Sequence, residues 1–155
     1  MTTQHAIDIN KVEDNALLHL PLASIRVREG FNPRRYFDQV KLNELAESIK
    51  SQGVIQPVVV KPSGDDEFAD LVVGERRYRA ATQAGITNIP VIVRHLSDED
   101  ALAMAIAENS ERDDVSAAEE AKGCHRMMSL LKGDKIEVAL ALGWTQRKLA
   151  SRLLL

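Results

Sequence analysis

The spacing of apolar residues changes several times along this chain, and each change marks an element. Residues 1 to about 16 are polar and aperiodic and read as a mobile tail. "LHLPLASI" (18–25) is a short apolar stretch around Pro21. Proline has no N–H for a ladder, so the stretch reads as an edge strand or strand entry. "REGFNPRRYFD" is a loop, punctuated by Gly30 and Asn32-Pro33. Leu42, Leu45, Ala46 and Ile49 then recur at i, i+3, i+4 and i+7, which predicts a helix with one apolar face, an N-cap at Asp38 and a stop at Gly53.

"VIQPVVVKP" (54–62) is β-branched and apolar and predicts a buried strand. "SGDDEF" is a turn by composition, and "FADLVV" (68–73) reads as the hairpin partner of that strand. A helix over 75–84, closed by Gly85, and a second buried strand over 88–96 follow. Beyond residue 96 the pattern is helical throughout. Ser97 and Asp100 form a variant capping box, and Ser116 and Glu119 a full one. Gly133 ends the second of these helices. "DKIEVALALG" and "WTQRKLASRLLL" then read as helix, tight glycine turn, helix, either a hairpin closing the core or the start of a helix-turn-helix.

The chain is therefore α+β, with strands and helices over 17–96, a helical segment over 97–132 and the helix-turn-helix pattern over 133–155. Its 155 residues suit one compact domain with a small appendage. Aromatics are only 4%, so the core rests on Leu, Ile, Val and Ala. A net charge of −3 removes the compositional argument for a nucleic-acid binder but leaves room for a local basic patch. One cysteine, Cys124, excludes an intramolecular disulfide. No apolar run approaches the roughly 20 residues needed to span a bilayer, and the N-terminus lacks a secretory pattern. A cytosolic protein is the expectation.

Two stretches carry candidate chemistry. In "DLVVGERRYRAATQAG" (70–85) a strand ends in Gly74, and Glu75, Arg76 and Arg77 open a helix. A helix start offers unpaired N–H groups and the positive dipole end, glycine permits close backbone approach, and arginines suit phosphate oxygens. The same arginines are equally consistent with solvated or acid-paired side chains. In "AENSERDD" (107–114) Glu108 and Asn109 offer adjacent hard oxygens. These suit Mg²⁺ when phosphates complete its shell. The alternative is a helix-ending Asn109 beside a solvated Glu108, with Arg112 paired to a nearby acid.

"NPRRYFD" (32–38), "GVIQPVVV" (53–60), "GERRYRAA" (74–81) and "ENSERDDVSAAEEA" (108–121) occur in the order and approximate spacing of the ParB family of chromosome- and plasmid-partition proteins. The resemblance covers about residues 18–155, and its wording is nearest the ParB-like proteins of PRTRC plasmid-type systems. It implies a ParB/sulfiredoxin-like fold, a small mixed β-sheet with flanking helices followed by an all-helical segment. It also implies binding of CTP with Mg²⁺, slow CTP hydrolysis, and homodimeric engagement of two N-domains that closes a clamp sliding on DNA from a centromere-like site. By position, Gly74, Glu75, Arg76 and Arg77 would line the triphosphate. Glu108 and Asn109 would hold or approach the metal, with Arg112 in the same box. Val54, Ile55, Gln56 and Pro57 would lie near the cytosine, and Arg34 and Arg35 near the phosphates or the dimer contact.

Three departures qualify that implication. Ala117 stands where the family more often has proline. The N-terminal tail lacks the basic stretch through which many ParB proteins stimulate a ParA-type ATPase, so that partner is in doubt. The chain stops before a complete recognition helix, so site-specific DNA binding is not expected of these residues as they stand.

Other readings compete. "GCHR" (123–126) matches the motif of sulfiredoxin, but it lies in a helical pattern in which Ala117, Ala121, Cys124, Met128 and Leu131 share one apolar face. Cys124 then reads as a small core residue. A nuclease is opposed by the scatter of Asp65, Asp66, Asp98, Asp100, Asp113 and Asp114 over a turn, a cap and a linker. A transcription regulator or adaptor without turnover keeps the fold and loses hydrolysis. His5, His19 and His95 have no metal-like spacing, and Trp144 reads as packing within the helical hairpin.

Overall fold

The computed structural model describes residues 8–27, 38–64, 68–110 and 116–155, without the side chains of Asn109 and Ser110. These residues fall into two compact units, one ending at His95 and the other beginning at Leu96.

The first unit is built on a five-stranded mixed sheet of order β1-β5-β3-β4-β2, in which β1 is Ala16–Pro21, β2 Ile25–Arg26, β3 Val58–Pro62, β4 Ala69–Val73 and β5 Asn88–Val93. β1 runs antiparallel to β5, and β3 antiparallel to β4, as the hairpin reading expects. β3 is parallel to β5 and β4 parallel to β2. Pro21 ends an edge strand, where its missing N–H costs no ladder bond.

Two helices complete this unit. α1, Gln39–Gln52, starts where Asp38 accepts a hydrogen bond from the Val40 N–H at 3.0 Å and stops at Gly53, which has φ of 75°. α2, Glu75–Gln83, packs against α1. Leu42, Ala46 and Ile49 of α1 join Ala80 and Ala81 of α2 over Val58, Val60, Val91 and Val93 of the sheet. Burying each of the Val, Leu and Ile side chains contributes roughly 1.5–3 kcal/mol, and each alanine methyl less.

The sequence reading needs two corrections here. Order begins before residue 16: a 3-10 helix, Ile9–Lys11, is capped by Asp8, and Ile9 is buried in the core. The reading missed it because one apolar residue has no period to detect. The strand expected over 54–62 begins only at Val58. Val54 to Pro57 form a loop with Ile55 79% exposed, so the β-branched run spans two kinds of structure.

The second unit is helical: α3 Asp98–Ser110, α4 Ala117–Leu130, α5 Lys135–Leu142 and α6 Gln146–Leu153. Both N-caps form, the Asp100 N–H donating to Ser97 Oγ and the Glu119 N–H to Ser116 Oγ, each at 3.1 Å. The buried face of α4 is Glu120, Ala121, Gly123, Cys124 and Met127. It is rotated from the face expected, since Ala117 is exposed and Met127 takes the place assigned to Met128. Gly123 explains the rotation: a Cβ there would lie 2.9 Å from Ile106 Cγ1, so α4 turns its glycine toward α3. Gly143, at φ of 69°, makes the tight turn between α5 and α6, and Thr145 caps α6.

Candidate nucleotide site

The site is built around the junction of β4 and α2. Gly74 takes φ of 106° and ψ of 27°, and a Cβ there would lie 2.6 Å from Val58 Cγ1 and 3.0 Å from Val58 Cβ. Both conformation and space demand glycine. At the turn the Tyr78 N–H donates to Gly74 O at 2.9 Å, and the N–H groups before it form the N-terminal end of α2. These N–H groups and the dipole favour an anion.

The three residues after Gly74 take different positions. Glu75 is buried, and its Oε1 accepts from Arg79 Nη2 at 2.9 Å and Arg79 Nε at 3.2 Å. Arg76 is exposed. Arg77 turns toward the 54–57 loop, where Nη1 donates to Gln56 O at 3.0 Å and also to Pro57 O. The structure thus brings the GERR and GVIQP motifs together through one guanidinium. Arg79 was missed, although its spacing of four from Glu75 is the signal that finds helical ion pairs. Also missed was Asp70, fully buried, whose Oδ1 lies 3.0 Å from both Nε and Nη2 of Arg26. That pair joins β2 to β4, and its separation of 44 residues leaves no local signal.

In the second unit Glu108 is exposed on the last turn of α3, and Asn109 follows it in the helix. Arg34, Arg35 and Arg112 lie outside the described residues. Among the described residues no group of three or more His, Cys, Asp or Glu side chains could hold a metal. Mg²⁺ keeps waters and takes phosphate oxygens, so it needs few protein ligands, and the exposed Glu108 carboxylate is of the type it takes.

A family model for the ParB N-terminal domain matches residues 6–110. The chain belongs to that family. It is 41% identical over 143 residues to a probable chromosome-partitioning protein ParB of Pseudomonas putida, a match covering 92% of this chain and 49% of that protein. The chain thus spans about half the length of the curated ParB relatives it matches. Two solved structures of the C-terminally truncated ParB of Caulobacter crescentus are similar. The one complexed with CTP-gamma-S has a TM-score of 0.59 and 32% identity, over 89% of this chain and 77% of that one. The one complexed to the centromeric parS site has a TM-score of 0.62 and 30% identity, over 88% and 70%. The expected fold class and family are both met.

The setting of Cys124 opposes the redox alternative. Cys124 is fully buried in α4, its Sγ donating to Ala121 O at 3.2 Å, and burial pushes its thiol up from the ordinary value. A reactive thiol needs the opposite, exposure and a lowered pKa. Trp144 is half-buried, with Lys148 Nζ 4.5 Å from its ring centroid, so it packs within the α5–α6 pair. Among the described residues no helix is long and apolar enough to cross a membrane.

Proposed function

We propose that this chain is the nucleotide-binding part of a CTP-dependent DNA-partition protein. The observation that carries the reading is the β4–Gly74–α2 corner: a left-handed glycine that no side chain can replace, the N-terminal end of α2, an exposed Arg76 and, one residue on, Arg77. That donor set suits a polyphosphate. The choice of CTP draws its support from family membership and from the CTP analogue in the similar Caulobacter protein.

The triphosphate lies on the N–H groups after Gly74, with Arg76 and Arg77 supplying cations and Glu75 supporting the helix through Arg79. Glu108 and Asn109 would hold Mg²⁺, which would neutralise phosphate charge, and Arg112 would serve the same site. The loop Val54, Ile55, Gln56 and Pro57 faces the cytosine. Arg34 and Arg35 would serve the phosphates or the second copy of a homodimer. Engagement of two N-domains closes a clamp on DNA loaded at a centromere-like site, and the α5–α6 pair belongs to the DNA-reading part. The place of action is the cytoplasm, and a ParA-type ATPase stays an open partner because the N-terminal tail lacks the basic stretch.

The described residues near the corner bind and orient; none is placed as a general base. In this reading CTP acts as a switch ligand, and slow hydrolysis resets it. A turnover number near the enzyme median of about 10 per second would overturn that view.

Calorimetric titration of the chain with CTP, UTP, ATP and GTP in Mg²⁺ tests the proposal. CTP-selective binding, lost in Gly74→Ala, is the expected result. Failure to bind any nucleotide, or equal binding of all four, overturns it.

A further inference from the structure

The contact between Arg77 and the 54–57 loop suggests a second duty for that arginine. Three consecutive residues of the loop-to-strand junction face the corner. Gln56 O and Pro57 O accept from Arg77 Nη1, and Val58 is the wall that forbids a Cβ on Gly74. Ile55 stands 79% exposed beside them, so no burial of its own side chain fixes that end of the loop. Val54 packs against the core at one end and Val58 is buried in the sheet at the other, so what Arg77 adds is the direction of the Gln56 and Pro57 carbonyls between these anchors.

We infer that Arg77 is a positioning residue for nucleobase selection, acting through the Gln56 and Pro57 carbonyls. This rests on the CTP-binding reading above and adds to it which residue sets the base preference. Cytosine presents an amine donor where uracil presents an oxygen acceptor. Backbone groups discriminate between them only if held in a fixed direction, because rejection of the wrong base comes from leaving a polar group unpaired. A loop free to turn would pair with either base. The guanidinium is suited to the task, since it is planar, always charged and carries donors in a rigid fork. A lysine at the same position keeps the charge for phosphate but is a single flexible point and cannot hold two adjacent carbonyls in one geometry.

This separates two roles for one residue. Contact with phosphate is common to all nucleoside triphosphates, so its loss weakens all of them alike. Contact with the loop affects the ratio between bases. The experiment is calorimetric titration of CTP, UTP, ATP and GTP with Mg²⁺ on the unmodified chain, Arg77→Lys and Arg76→Ala. In Arg77→Lys the preference for CTP over UTP falls about tenfold, the scale of one hydrogen bond to a charged group, while UTP affinity changes much less. In Arg76→Ala all four weaken together and the preference stays. A uniform loss in Arg77→Lys with the CTP preference intact overturns the inference but leaves the proposed function standing. Absence of CTP preference in the unmodified chain removes both.

Arginine side-chain NMR reads the contact without any substitution. Slowed rotation that resolves the Arg77 Nη hydrogens is expected. A fully averaged Arg77 signal overturns the clamp.

Discussion

Glu120 and Arg152, 32 residues apart, meet with Nε 3.1 Å from Oε1, and Lys148 Nζ lies 2.9 Å from the other oxygen of the same carboxylate. Glu120 is only 5% exposed. One buried anion on α4 thus holds two cations of α6. Removing it leaves both cations against a cavity, whereas each of them still has partial access to water. Glu120→Ala is expected to lower stability by about 1–3 kcal/mol, less than for a wholly buried pair. Urea denaturation checks this, and an unchanged midpoint would refute the hub.

Gly74→Ala meets two obstacles, the Val58 side chain at 2.6 Å and a φ of 106°. The expected cost is about 1–3 kcal/mol from backbone strain, with the clash in addition. Trimming the wall in Gly74→Ala/Val58→Ala relieves only the clash. The double variant should therefore show less than the sum of the two single losses in melting experiments. Strict additivity would mean that the two residues do not touch.

Asp14 accepts from the His95 N–H at 2.9 Å and from Arg94 Nε at 3.3 Å. The His95 hydrogen bond, chiefly, holds its carboxyl below the ordinary 3.8. Because the folded pKa is depressed, the stabilising contribution is complete above the unfolded value and is lost as pH falls through the folded one. NMR titration should place the Asp14 midpoint below 3.8. In Asp14→Asn that part of the acid sensitivity should vanish.

Cys124 should resist alkylation at neutral pH in the folded chain and react fully in urea. Burial raises its pKa, so the neutral thiol is favoured in the fold. Its contribution to stability is present below the unfolded pKa and is lost as pH rises through the folded one. Rapid labelling of native protein would refute this and revive a redox role.

Much of this was legible from local signals. The caps at Asp38, Ser97 and Ser116, the glycine stops and the β3–β4 hairpin all depend on residues within a few positions of one another. Gly74 was legible for the same reason, since strand end, glycine and helix start are contiguous. The Arg77 contact was not, because Gln56 lies 21 residues away and nothing in its neighbours marks its carbonyl as an acceptor. The Val54–Pro57 loop was hidden by composition: Val54 and Ile55 look like strand, and only the ladder itself shows that pairing starts at Val58. The face of α4 was misjudged because periodicity treated Gly123 as neutral, whereas close helix approach makes it part of the interface.

The β1–β5 ladder has a consequence for how this chain is made. It pairs Ala16 with Val93 and Pro21 with Asn88, so the first strand to leave a ribosome waits for the last. Until then β1 is an apolar segment without a partner, and the β3–β4 hairpin and α1 have time to form from nearer contacts. A stalled or cleaved chain lacking β5 would carry β1 and one edge of β3 uncovered, a template for pairing with other chains. Completion of β5 is therefore the step that commits the first unit to its native sheet rather than to aggregation.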